Sequence, residues 1–236
     1  MSCGVSVSNP CLFLPGTLCD ERVWLPIWQR LDIQRRYVPL QWATSKNDML
    51  ALTGDRVLDD EKVHLTGFSM GGYIAALWAC EHPEHVASLT VIGWDPHGLN
   101  QHEVQRRKQL ISMLKKGQFH PDKPDYLRRF IHPDHLQSPH VADIMRDMGK
   151  DLGAATLLAH TEATTPRPSL ITALSNAPFP INFIVGDEDQ LVSIKAIREA
   201  AKLLNKGNLF TIEQSAHMCV LEQPELVSQY LQRIYQ

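Results

Sequence analysis

The chain has no charge excess of either sign, no long apolar run and no paired cysteines. Its 23 Lys/Arg against 26 Asp/Glu give a formal charge of −3. That leaves no cationic surplus for a phosphate backbone, so a nucleic-acid binder is not expected. No apolar stretch approaches the roughly 20 residues that cross a bilayer, so membrane insertion is not expected either. The opening MSCGVSVSNPCLFLPG lacks a basic segment followed by a long apolar one, and no signal peptide is read there. Five cysteines, at positions 3, 11, 19, 80 and 219, form an odd, scattered set without C-x-x-C spacing. Free thiols in a reducing cytoplasm are the expectation. Repeats and low-complexity segments are lacking too. With 44% hydrophobic and 21% charged residues, the 236 residues suit one domain with a sizeable core.

Short apolar runs alternate with helical patterns, which predicts a mostly parallel sheet flanked by helices. The strands are expected at 11–14, 37–40, 63–66, 89–93, 181–185 and 209–212. Helices are expected at 24–30, 48–58, 70–81, 193–204 and 224–235. Between about residues 97 and 175 the alternation breaks. Amphipathic helical patterns continue there without a strand, interrupted by prolines at 121, 124, 133, 139, 166 and 168. This segment is expected to be a helical lid inserted in the α/β core.

The stretch EKVHLTGFSMGGYIAALWACEHP places a serine between glycines where the apolar rhythm changes from strand to helix. Gly67-Phe68-Ser69-Met70-Gly71 fits G-x-S-x-G, a turn so sharp that a β-carbon at either glycine would meet backbone. Ser69 then projects above the carboxyl edge of the sheet, beside the unpaired N–H groups of a helix N-terminus. A serine hydroxyl needs a base, and the base needs an orienting acid. Of eleven histidines, His217 in NLFTIEQSAHMCVLEQPE follows a strand in a loop of small residues. An acid is offered by INFIVGDEDQLVS, where Asp187, Glu188 and Asp189 follow a strand and Gly186. Asp95, in VIGWDPHG, is a further carboxylate beyond a strand.

The chain order serine, acid, histidine is that of the α/β-hydrolase fold. The blocks LFLPGTLCDERVW, LTGFSMGG, FIVGDEDQLVS and SAHMCVLEQPE, between residues 12 and 224, resemble that superfamily. The pattern looks like that of the compact carboxylesterases, including the pimeloyl-carrier methyl ester esterases and similar small serine esterases. The resemblance implies a Ser69 nucleophile, a His217 base and, three residues after the glycine, an Asp189 acid. It implies an oxyanion hole from the N–H of Met70 and one from the loop after the first strand, Thr17 or Leu18. The chain departs from the pattern at Pro15-Gly16, where His-Gly is usual, so that loop must be braced differently. The usual opening hairpin is not expected, so about six strands are implied, in the order 4-3-5-6-7-8 by that family's count.

The expected activity is cleavage of carboxylic esters of small to medium acyl groups through an acyl-enzyme, with no cofactor. Alternatives are a ligand-binding or sensory protein that keeps the triad, or a lyase or C–C hydrolase on the same fold. Haloalkane dehalogenases use an aspartate in place of Ser69. The succinyl-hydroxycyclohexadiene carboxylate synthases usually carry an arginine just after the turn, where this chain has Tyr73. His132 and His135 in IHPDH are spaced for a metal but flank Pro133 and lack a third ligand, so no metal is expected. Cys219 is expected to pack near the site. The substrate pocket is expected to be lined by Trp94, Leu110, Met113, Phe130 and Leu157, favouring a neutral ester. Residues 97–150 hold ten Lys/Arg against six Asp/Glu. That balance is either a solvated face or a landing surface for an acidic acyl-carrier protein.

Overall fold

The computed structural model describes residues 9–121, 123–204 and 207–236; Cys3, and Asp122 among the acidic residues counted above, lie outside them. Six strands form one parallel sheet: β1 (Cys11–Leu14), β2 (Arg35–Tyr37), β3 (Val63–Phe68), β4 (Val86–Ile92), β5 (Ile181–Gly186) and β6 (Gly207–Ile212). Their spatial order is β2-β1-β3-β4-β5-β6, the order implied by the resemblance. Every neighbouring pair is parallel. All strands therefore present their carboxyl ends at one edge, where ligands of such sheets bind.

Alternation along the strands divides the core into two layers. Leu12, Leu14, Leu65, Leu89, Val91, Phe183 and Val185 face one side. There they meet α2 (Lys46–Gly54), α3 (Met70–Glu81) and α8 (Ile194–Leu203). Cys11, Phe13, Phe68, Ile92, Ile184 and Ile212 face the other. That side is covered by α1 (Leu25–Trp28), α9 (Cys219–Glu222) and α10 (Pro224–Tyr235). Between β4 and β5 lie α4 (Gln101–Lys115), α5 (Pro124–Leu127), α6 (Ile144–Ala163) and α7 (Ile171–Ser175), with no strand among the described residues. The helix α6 is kinked at Gly153, whose φ is 70°.

Two expected elements are displaced. The second strand was expected at 37–40 and runs at 35–37. Pro39 has no N–H to give a ladder, and with φ −80° and ψ 68° it starts a 3-10 turn over Leu40–Trp42 instead. Arg35 and Arg36 read as loop, yet they suit an edge strand whose outer side meets water. The helix expected at 24–30 is shortened to α1, with a 3-10 turn at Glu21–Val23 before it.

The strand-to-helix turn is set by backbone contact. A β-carbon on Gly67 would lie 2.3 Å from the carbonyl oxygen of Gly71, and one on Gly71 would lie 2.3 Å from that of Leu14. The first contact closes the turn, and the second lays α3 against the end of β1. Between them Ser69 is held at φ 51° and ψ −112°, a region that costs a non-glycine residue about 1–3 kcal/mol. Ser69 N–H donates to the carbonyl of Ile92 at 2.8 Å, which ties the turn to the end of β4.

A paired substitution tests this reading. Gly67→Ala should lower stability by about 3 kcal/mol or more, since backbone and not a flexible side chain blocks the new methyl. Gly54→Ala, whose β-carbon would meet only Trp78 Nε1 at 3.5 Å, should be neutral or stabilising by up to about 1 kcal/mol. Urea denaturation of the two variants is the measurement; equal midpoints would refute the account of the turn.

Candidate functional site

Ser69, His217 and Asp189 come from the ends of three different strands and meet at the carboxyl edge of the sheet. His217 Nε2 lies 3.0 Å from Ser69 Oγ, and His217 Nδ1 lies 2.8 Å from Asp189 Oδ2. With Nδ1–H donated to the carboxylate, Nε2 is left as the acceptor for the serine hydroxyl. The His217 side chain is 5% exposed, and that of Asp189 is fully buried. Asp189 Oδ1 also accepts the N–H groups of Leu191 (2.8 Å) and Val192 (3.0 Å). These bonds aim its other oxygen at the histidine. Asp187 does something else: its Oδ1 accepts the N–H of Ser215 at 3.2 Å, within the loop that leads to His217. Asp95 is turned away, bonded to its neighbour His97 at 2.6 Å.

The loop carrying His217 is pinned by a buried carboxylate. Glu222 accepts from Ser215 Oγ (2.6 Å) and Ala216 N–H (2.7 Å), and from the backbone N–H of His132 (2.6 Å). His132 Nε2 also contacts Glu188 Oε1 at 3.0 Å. Phe130 carbonyl accepts the N–H of Met218, and the Phe130 ring lies 6.2 Å from His217. One segment of the β4–β5 insertion thus grips both the acid loop and the histidine loop. His132, which the sequence offers only as half of a two-histidine spacing, is thus a support of the loops, and Glu222 is not singled out by any motif. The signal for Glu222 was a carboxylate inside an apolar run, VLEQ, where a charge is retained only with partners.

Opposite Ser69, the loop after β1 offers two N–H groups with different fates. Leu18, at φ 54°, donates its N–H to His160 Nδ1 at 3.2 Å. The N–H of Thr17 has no acceptor among the described residues, and neither has that of Met70 in the first turn of α3, where no intrahelical partner exists. His160, on α6, is fully buried and meets the Leu40 carbonyl through Nε2 at 3.0 Å. It accepts at one nitrogen and donates at the other, so it is neutral. Burial pushes its pKa down to about 4, opposed only by the Leu40 bond. Here is the brace that Pro15 does not supply; it lay unseen in sequence because it sits 142 residues away.

The pocket residues are divided. Trp94 is buried against Tyr73, with ring centroids 6.3 Å apart. Leu110 and Leu157 pack with Leu18 and Leu114. Met113 is 48% exposed and corrects the expectation: the inward stripe of α4 runs through Arg107, Leu110, Ile111 and Leu114, at i, i+3, i+4 and i+7, and Met113 falls outside it. Cys219 is buried, and desolvation, then Glu222 and Asp189, raise its thiol far above its usual range, which keeps it protonated. No group of three or more metal-ligating side chains occurs among the described residues. Nor is any helix among them long and apolar enough to cross a membrane.

Comparison with known proteins agrees with this architecture. The chain is 28% identical over 183 residues to monoacylglycerol lipase abhd6-B of Xenopus laevis, covering 71% of this chain and 52% of that one. It thus spans about half the length of that relative. Against 2-succinyl-6-hydroxy-2,4-cyclohexadiene-1-carboxylate synthase of Salmonella heidelberg (strain SL476) it is 26% identical over 198 residues, covering 75% and 77%. Among solved structures, a thermophilic esterase from Thermogutta terrifontis superposes with a TM-score of 0.83 over 98% of this chain and 92% of that one. At 18% identity the likeness speaks for the fold. The family model for the alpha/beta hydrolase fold matches residues 47–224, most of the chain, and the chain belongs to that family.

Proposed function

We propose that this protein is a serine-dependent carboxylic ester hydrolase. The observation that carries the reading is the unbroken relay from Ser69 Oγ through His217 to Asp189, at 3.0 and 2.8 Å. In this reading Ser69 Oγ attacks the ester carbonyl while His217 Nε2 takes its proton. Asp189, buried and already bonded to two backbone N–H groups, stabilises the imidazolium and holds the tautomer. The developing oxyanion is met by the N–H groups of Met70 and Thr17, with the positive end of α3 behind them. His217 then returns the proton to the departing alcohol. Water, deprotonated by the same nitrogen, releases the acyl group from Ser69. The helical insertion over the site acts as the lid that shapes the acyl pocket through Trp94, Leu110, Phe130 and Leu157.

The nucleophile is tested by a fluorophosphonate probe and a chromogenic acetate. Wild type should label and give an acyl-enzyme burst; Ser69→Ala should do neither, with turnover lowered by several orders of magnitude. Labelling of the alanine variant would sink the assignment. A wild type that binds the ester without a burst would identify a binding protein instead.

The two aspartates are separated by their partners. Asp189→Asn should lower kcat by about 10³- to 10⁴-fold, because the amide offers His217 the wrong hydrogen-bonding face. Asp187→Asn keeps an acceptor for Ser215 N–H and should cost less than about tenfold. The reverse ranking in steady-state kinetics would move the acid to Asp187.

The brace at His160 has its own pH signature. Its folded pKa, near 4, lies below the ordinary 6.5. The unfolded chain therefore binds the extra proton first as pH falls. The neutral imidazole's contribution is whole above about pH 6.5 and is lost progressively down to about pH 4, on the order of 3 kcal/mol. Urea midpoints measured between pH 7 and pH 4.5 should fall less steeply in His160→Gln than in wild type. Its kcat should drop while its KM holds, since the loop bearing Thr17 loses its anchor. Parallel pH slopes in the two proteins would refute the assignment.

A further inference from the structure

The inward stripe of α4 carries one residue that does not belong in an apolar contact. Arg107 is half-buried there, while its neighbours Arg106 and Lys108 face solvent. Its Nε donates to Thr165 Oγ1 at 2.7 Å, and one terminal nitrogen donates to Thr164 Oγ1 at 2.8 Å. A second guanidinium, that of Arg167, reaches the same Thr164 Oγ1 at 3.2 Å. Two nitrogens on one oxygen lie no more than about 6 Å apart. Both threonine hydroxyls spend their protons on α6 carbonyls, those of His160 (2.8 Å) and Thr161 (2.6 Å). Toward the arginines they are acceptors only.

This is a pair of like charges with no carboxylate among the described residues bonded to either. Neither guanidinium forms an ion pair among the described residues, and Nη1 of each has no acceptor there. Glu103, one turn before Arg107, is near enough to be felt by both, but its carboxylate caps α4 by accepting the N–H of Asn100 at 2.8 Å. Burial lowers Arg107 to about 10; burial and then Arg107 itself lower Arg167 to about 9. The pair also has an address. The Arg167 guanidinium lies 5.2 Å from the ring of Tyr73, in the first turns of α3, whose N–H is bonded to the carbonyl of Ser69. The Tyr73 ring is also in contact with that of Trp94, at 6.3 Å between centroids.

We propose that Arg107 and Arg167 bind the carboxylate of an acidic substrate, so that the ester cleaved at Ser69 is a half-ester of a small dicarboxylic acid. The proposal rests on the ester-hydrolase reading above for its reaction, though not for its binding site. Two guanidiniums with Glu103 alongside leave about one net positive charge, which suits a carboxylate better than a doubly charged phosphate. The two free Nη1 groups supply the donors, as arginine forks do for planar oxyanions. The apolar walls expected from the sequence then hold the chain between the two ends of the substrate.

Calorimetry on Ser69→Ala protein, which cannot turn the ligand over, reads binding directly. Monomethyl glutarate should bind at least tenfold tighter than dimethyl glutarate, and tighter than inorganic phosphate. Adding Arg167→Met should remove the preference, and Arg167→Lys should retain only part of it. In otherwise wild-type protein, Arg167→Met should lower the kcat/KM ratio of monoester to diester at least tenfold, chiefly through KM. Equal binding of the two glutarates, or a preference that survives both Arg167 variants, overturns the proposal; tighter binding of phosphate overturns the carboxylate. Should no ester be hydrolysed at all, the ester-hydrolase reading fails, and the calorimetric comparison still decides the binding site. The lysine variant, which keeps the charge, serves if the methionine variant does not fold.

Discussion

Everything at the site depends on how closely α3 can approach the ends of β1 and β3. With a methyl group at Gly67 or Gly71 the helix would have to move away by the better part of an ångström, since the obstacle in each case is a carbonyl. At the observed distance, Ser69 is lifted into a backbone region that side chains avoid, and its hydroxyl stands clear of the sheet. The same approach lays the first turn of α3 against the end of β1, where a β-carbon on Gly71 would meet the carbonyls of Leu14 and Pro15. Strain at one residue is thus coupled to the packing of α3 on β1.

Holding that arrangement is shared between the sheet and the insertion. The sheet fixes Ser69, Asp189 and His217 because three parallel strands of one sheet, β3, β5 and β6, end at the same edge. The insertion fixes the loops beyond those ends. His132 and Phe130 hold the acid and histidine loops, while His160 holds the loop after β1. The ties through the N–H groups of His132, Met218 and Leu18 satisfy backbone donors that would otherwise be buried without a partner, so they stabilise the fold as well as the site. A movement of the insertion would therefore be felt in all three loops at once.

What could be read in the sequence follows from the range of the interactions concerned. The strands β1, β3, β4, β5 and β6 and the helices α3 and α10 announce themselves locally, by apolar period and by glycine or proline at their ends. Their order in the sheet came from the resemblance, and the fold agrees with it. The G-x-S-x-G turn and the two loops after β5 and β6 are local too. The edge strand β2 was misplaced by a few residues because its polarity looks like that of a loop. Met113 was misassigned because a run such as QLISMLKK offers several apolar faces, and only the packing against Leu18 and Leu157 selects Leu110 and Leu114. His160 and Glu222 were illegible for a different reason. A buried polar residue is recognised by its partners, and theirs lie up to 142 residues away.

The same distinction bears on charge. Counted along the chain, residues 97–150 look like a basic surface, but the structure sorts those charges into separate kinds. Arg128 and Arg146 pair with Asp125 and Asp143 one helical turn away, and Lys115 pairs with Glu162, all at exposed positions where such pairs contribute little. Arg107 is partly withdrawn from that surface and set against Arg167, which lies outside the counted segment. A cation kept beside another cation and away from water raises the energy of the empty protein. It is tolerated where something in the structure compensates, and the two threonine oxygens supply only part of that. The net charge of a segment therefore says little about what it binds; the two guanidiniums that fail to find a carboxylate say more.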